Sequence, residues 1–126
     1  IPTMTPQEAF TKSVVHTLQQ GKRSTRLMPY SAKKVCAYRG DNGLKCAIGA
    51  LIPDNEYIPE MEGNLIIDNF RRGFIPPSLA GFEDIWLLSS IQSVHDNEDV
   101  SEWENGFRRV AHVYNLIFPD FKLRSA

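Results

Sequence analysis

From Thr5 to Gly21 the chain carries both punctuation marks of one helix, and this commits the remainder to a helical scaffold. Thr5-Pro6-Gln7-Glu8 supplies an N-cap hydroxyl, a proline at the first helical position and an acid at the third, which together satisfy the orphan amides of a starting helix. Phe10, Val14 and Leu18 then recur at helical spacing, and Gly21 offers the left-handed exit, so a helix is predicted over residues 6–20. An amphipathic helix needs partners for its apolar stripe, and the later sequence repeats the pattern. Asn64 reads as the cap of a short helix through Leu65, Ile66, Ile67 and Phe70, ended by Arg71, Arg72 and Gly73. Phe82, Ile85, Leu88, Ile91 and Val94 or His95 form the apolar face of another, stopped at His95-Asp96-Asn97. Ser101 and Glu104 form a capping box before a last helix with Trp103, Phe107, Val110, Ala111 and Tyr114 inward, ended by Phe118-Pro119-Asp120.

The non-helical part is smaller. Residues 22–34 hold five cations, no acid and one proline without periodicity, and read as an exposed basic loop. Val35 to Arg39 suits a strand, and Asp41-Asn42-Gly43 favours a tight turn into a short return strand at Leu44 and Lys45. Cys46 to Ile52 reads as a short buried helix closed by Pro53-Asp54. A lone two-stranded ribbon is marginal, so it must pack on helices or gain a third strand, from Phe74-Ile75 or from Phe121 to Leu123. The expected fold class is α+β, mainly helical, with four to five helices packed around a small β-hairpin. Residues 5–118 are expected to form a single globular domain, with 119–126 a C-terminal tail and 1–4 a tag remnant or disordered start in which Met4 is the candidate initiator.

At 126 residues such a domain buries enough surface to fold without a disulfide or structural metal. Its 14 basic and 15 acidic residues nearly cancel and its apolar fraction is 42%, which argues against a disordered chain, a polybasic nucleic-acid binder and an acidic DNA mimic. Residues 22–34 and Arg108-Arg109 therefore read as solvated faces. No apolar run matches a membrane span or signal peptide, so the expected address is cytoplasmic, with no membrane partner.

The chemistry concentrates in VCAYRGDNGLKCAIGALI, residues 35–52, which holds both cysteines. The two thiols can be small buried hydrophobes, a cross-strand disulfide in an oxidising setting, or reactive groups, since no C-x-x-C or further ligand set is present. An enzymatic reading places Cys46 at a helix N-terminus as nucleophile, with His95 as base and Asp96 orienting it, because His16 and His112 sit mid-helix without an adjacent acid. Against it stands His95 as a helix-terminal cation bonded to its own last carbonyls. A binding reading uses Tyr38, Arg39 and Lys45 around Gly40 and Gly43, with Tyr57, as a face for a small anionic or nucleotide ligand. It is no Walker loop, and Glu56, Glu60 and Glu62 can neutralise the same cations internally. No cofactor or metal is expected from these patterns.

The block CAYRGDNGLKCAIGALIPDNEYIPEMEGN (Cys36 to Asn64), followed by FEDIWLLSSIQSVHDN and a tryptophan-containing last helix, resembles a family of small uncharacterised proteins of tailed bacteriophages, prophages and some enterobacteria. The resemblance brings no activity or catalytic set. It implies context: a viral accessory protein acting in the host bacterial cytoplasm, expected to bind and inhibit a host protein such as an anti-phage defence factor, or to sequester a small anionic or nucleotide signal. The small cysteine-dependent hydrolase is the alternative, and a structural virion component a third. Generous apolar positions in the last two helices, including Trp86 and Trp103, suit a homodimer.

Overall fold

The computed structural model describes residues 4–28 and 33–120. Among them are four α-helices and one small antiparallel sheet: α1 (Pro6–Gln20), β1 (Thr25–Leu27), β2 (Lys34–Cys36), α2 (Ile66–Arg72), α3 (Ile85–Asn97) and α4 (Trp103–Val113). This is the mainly helical α+β class that the sequence predicts. No helix is long and apolar enough to cross a membrane.

The α1 boundaries follow their residues. Thr5 Oγ1 accepts from the Glu8 amide at 3.1 Å while Glu8 Oε1 accepts from the Thr5 amide at 2.9 Å, and Gly21 closes the helix at φ 64°. The helix buries Ala9, Phe10 and Val14 against α3, α4 and the turn Gly49–Leu51. α4 returns along α3, with Gly106 against Val94 and the Tyr114 hydroxyl 3.2 Å from Ser90 Oγ. Phe10, Leu51, Leu88, Ile91, Trp103 and Phe107 are fully buried between these elements.

The expected hairpin is displaced. β2 pairs with β1, Thr25 facing Cys36 and Leu27 facing Lys34, so the segment read as a basic loop contains a strand. That strand escapes pattern reading because Arg26 and Leu27 are both exposed, leaving no alternation. Between Val35 and Lys45 the pairing shrinks to one bridge, Arg39 with Lys45, closed by a turn at Asp41–Gly43. The asparagine-glycine signal is still realised there, with Asn42 at φ 60° and Gly43 at φ 75°. The short buried helix expected over Cys46 to Ile52 is realised only as one 3-10 turn, Gly49–Leu51, and not as an α-helix.

Other boundaries also differ. α2 is capped from a distance, its Ile66 amide donating 2.8 Å to Gln92 Oε1, and Asn64 does not cap it. α3 starts later than expected because Asp84 accepts from the Leu87 amide. The Ser101–Glu104 box is not formed; Val100–Glu102 is a short turn and α4 begins without a side-chain cap. Phe74 and Ile75 lie outside any strand, while the expectation for Phe121 to Leu123 falls outside the described residues. Of the two tryptophans, Trp103 is fully buried and Trp86 is 61% exposed.

Candidate functional site

Tyr38, Arg39, Lys45 and Tyr57 do meet, but their polar groups turn inward. Arg39 donates to the carbonyls of Tyr38 (3.3 Å), Gly49 (2.8 Å) and Ile52 (2.6 Å) and to Asp54 Oδ1 (3.1 Å), and its guanidinium lies over the Tyr57 ring. Three backbone carbonyls and a carboxylate use up the fork that an anion would need. Lys45 Nζ lies 3.4 Å from the same Asp54 oxygen. Tyr38 is buried, its hydroxyl donating to Asn64 O (2.8 Å) and accepting from Gln92 (3.1 Å) and Asn69 (3.2 Å), so its ring has no free face for stacking. The backbone amides of Tyr38 and Arg39 each donate 3.0 Å to an oxygen of Glu62. The Tyr57 hydroxyl donates to Glu62 at 2.6 Å. Asp54 and Glu62 thus fill the position of the expected anionic ligand; Glu56 instead accepts from Ser78.

The thiol chemistry is rearranged in a similar way. Cys46 is buried and accepts from the Gly49 amide at 3.2 Å, and burial pushes its thiol up to about 12. The thiol beside His95 and Asp96 is that of Cys36, pushed up to about 11 by partial burial and the Asp96 carboxylate. His95 is fully buried, stacked on Trp103 at 5.3 Å between centroids. Its Nε2 lies 3.0 Å from the Ser24 amide nitrogen and its Nδ1 2.6 Å from Asp96 Oδ1. A backbone amide can only donate, so Nε2 accepts and the ring proton sits on Nδ1, donated to Asp96. The lone pair a general base would use is therefore committed to Ser24. Arg23 adds a second tie, donating to the carbonyls of Asp96 and Glu98 at the end of α3.

Cys36, His95 and Asp96 bring a sulfur, a ring nitrogen and a carboxylate oxygen within 4.8 Å of one another. Their hydrogen bonding does not suit a metal ion. Coordination by Nδ1 would take the proton from Asp96 and place it on Nε2, where it would face the Ser24 N–H donor, and the Cys36 thiol would have to ionise as well.

The principal opening in this region is a cleft of about 350 Å³ beside the cluster. One wall is Val35 to Tyr38 with Met28; the other is Gly63, Asn64, Leu65 and Asp68 at the start of α2; Cys46, Gln92 and Asp96 line its depth. Met28 and Leu65, 44% and 53% exposed, form an apolar rim. Sequence reasoning missed Met28, Leu65, Asp68 and Gln92 because they come from three separate segments, the end of β1, the start of α2 and the middle of α3, which no spacing rule connects. A large apolar residue at Leu65, just outside the α2 stripe, was the one available signal. Comparison of the chain with protein-family models, curated proteins and solved structures finds no match in any of the three.

Proposed function

We propose that this protein is a non-catalytic binding protein that docks a host macromolecule in the bacterial cytoplasm, as an accessory protein of the phage type that its sequence resembles. The observation that carries this reading is the contrast between a polar interior already bonded internally and an open, apolar-rimmed cleft. His95 Nε2, the Cys46 sulfur, the Arg39 guanidinium and the Tyr38 hydroxyl each serve a structural partner. An enzyme places a free base beside a nucleophile, whereas a docking surface needs exposed apolar anchors with polar surroundings. Met28 and Leu65 supply those anchors beside Asp68 and Asn64. The same contrast favours a macromolecule over a small anion, because the anion's position is taken by Asp54 and Glu62.

The test is affinity capture of partners from infected cells with the wild type, Leu65→Asp and Trp86→Ser, read by quantitative mass spectrometry. The expected result is loss of the partner with Leu65→Asp and its retention with Trp86→Ser, which alters the opposite end of α3. Retention by Leu65→Asp, or a turnover activity abolished by Cys46→Ala, would overturn the reading.

A further inference from the structure

We propose that the cleft binds an extended, basic peptide segment of the partner by strand addition to the outer edge of β2, a proposal that rests on the binding role above. The hydrogen-bond alternation of the sheet fixes which backbone groups are available. The Met28 amide donates to Lys33 O and the Ala37 amide to Ser24 O, so the bonded pairs of the ladder are 28 with 33, 26 with 35 and 24 with 37. Thr25, Leu27, Lys34 and Cys36 are consequently in non-bonded pairs, with their backbone N–H and C=O groups pointing away from the partner strand. On β2 the outward set continues at Tyr38.

The Tyr38 amide is already occupied by Glu62 Oε1 at 3.0 Å. That contact locates the loop after Glu62 on the outer side of β2, and Gly63, Asn64 and Leu65 continue from it as the far wall of the cleft. Val35 and Ala37 from one face of the strand and Cys36 from the other all border the opening, as expected of a space along an edge. The edge is therefore closed by a carboxylate at Tyr38 and open at Cys36 and Lys34, whose outward backbone groups have no partner among the described residues. An open edge is a template for another strand, and strand addition is a recurrent mode of peptide recognition.

The side chains around it define the partner's chemistry. Asp68 and Asp96 contribute the charge of the cleft, and no described lysine, arginine or histidine lines it. Asp68 pairs with Arg71 at 3.6 Å across solvent, a contact weak enough to be exchanged. Side chains of an added strand alternate between two sides, so one set can meet the Met28, Val35 and Leu65 rim while basic residues of the other reach the carboxylates.

The probe is fluorescein-labelled acetyl-(Val-Lys)3-amide, followed by anisotropy against the full chain. Its comparators are the (Val-Glu)3 peptide and two basic peptides N-methylated at alternate residues, one in each frame. Saturable binding of the basic probe is expected, with the acidic peptide weaker by about tenfold or more. One N-methyl frame should lose about tenfold and the other little, because only alternate amides face the edge. Lys34→Pro removes an outward donor without breaking a ladder bond, and should weaken the probe by a similar factor despite deleting a like charge. Asp68→Lys should weaken it too. No saturable binding, equal affinity of both N-methyl frames and the parent peptide, or equal affinity of acidic and basic probes would overturn the proposal. The methylated probes use the unaltered protein, so they decide the matter even if Lys34→Pro fails to fold. A captured partner lost with Leu65→Asp but indifferent to Lys34→Pro would sink strand addition and leave the binding role; indifference to both would sink both.

Discussion

If His95 is a structural latch, its two ring nitrogens should be separable by isosteric substitution. His95→Asn places an amide N–H near the position of Nδ1 and keeps a donor for Asp96, while leaving the Ser24 amide without an acceptor. His95→Gln extends an oxygen toward the Ser24 amide and leaves Asp96 Oδ1 without its donor. From the 3.0 Å and 2.6 Å contacts, the first change abandons a buried amide and the second a charge-assisted bond. These cost about 1–3 and 1.5–3 kcal/mol respectively. Both also lose the stack on Trp103, about 0.5–1.5 kcal/mol more. The variants should therefore be about 1.5–4.5 kcal/mol (Asn) and about 2–4.5 kcal/mol (Gln) less stable in urea denaturation, with an unchanged m-value. Nitrogen-15 NMR of the wild type should find Nε2 unprotonated and Nδ1 protonated. A loss below about 0.5 kcal/mol in both variants, the level of an ordinary surface change, would refute the latch. So would a proton on Nε2.

Arg39→Lys keeps the charge but cannot reach the Gly49 and Ile52 carbonyls together, and should cost about 2–4 kcal/mol in the same assay, beyond what loss of the exposed Asp54 contact explains. Gly49→Ala should cost about 1–3 kcal/mol or more because a Cβ there would stand 2.3 Å from the Tyr38 carbonyl oxygen; Gly43→Ala, where nothing lies within 4 Å, should cost only the ~1–2 kcal/mol of a left-handed residue. For pH, burial lowers His16 below its ordinary 6.5, so the neutral ring favours the fold and stability should fall as pH drops below about 6.5, less steeply in His16→Gln. Burial raises Cys46 from 9.0 to about 12, so its contribution is complete below about pH 9 and should be lost as pH rises toward about 12, less so in Cys46→Ala. Mass spectrometry after brief iodoacetamide treatment at pH 8 should find Cys46 unmodified in the native protein and alkylated in urea.

The helices were legible wherever a local rule coincided with a packing need. α1 has both caps and its stripe within seventeen residues, and it forms as predicted. α2 and α4 exist where the apolar spacing places them, but their starts shift: a tertiary contact replaces the local cap of α2, and the turn Val100–Glu102 leads into α4 without a side-chain cap. No rule of spacing connects Ile66 with Gln92, 26 residues away. The sheet was misplaced for a related reason. Val35 and Cys36 have strand character, but their partner strand holds Arg26 and Leu27, both exposed, and is chosen by backbone pairing rather than by an apolar pattern.

The site shows the same limit in chemical terms. Residue types identified the side-chain ingredients of an anion site, aromatic rings, a guanidinium and an ammonium, and the structure does gather them. What composition could not specify is that Glu62, 23 residues beyond Arg39, reaches back to accept from the Tyr38 and Arg39 amides, and that Asp54 takes the cations. A chain that carries both an anion cradle and a nearby acid can satisfy the cradle itself, and the closed loop then becomes architecture. Glu62 fixes Tyr38, Tyr38 fixes Gln92 and Asn69, and Gln92 caps α2, so one carboxylate orients both walls of the cleft. Glu62→Gln would keep most of the shape but replace one accepting oxygen with a donor that faces the Tyr38 or Arg39 amide. Its effect should therefore appear at the cleft as well as in stability: weaker binding of the basic probe, together with a loss of about 1–3 kcal/mol. A Glu62→Gln protein destabilised to that extent yet binding the probe as well as wild type would show that the carboxylate supports the fold without shaping the edge.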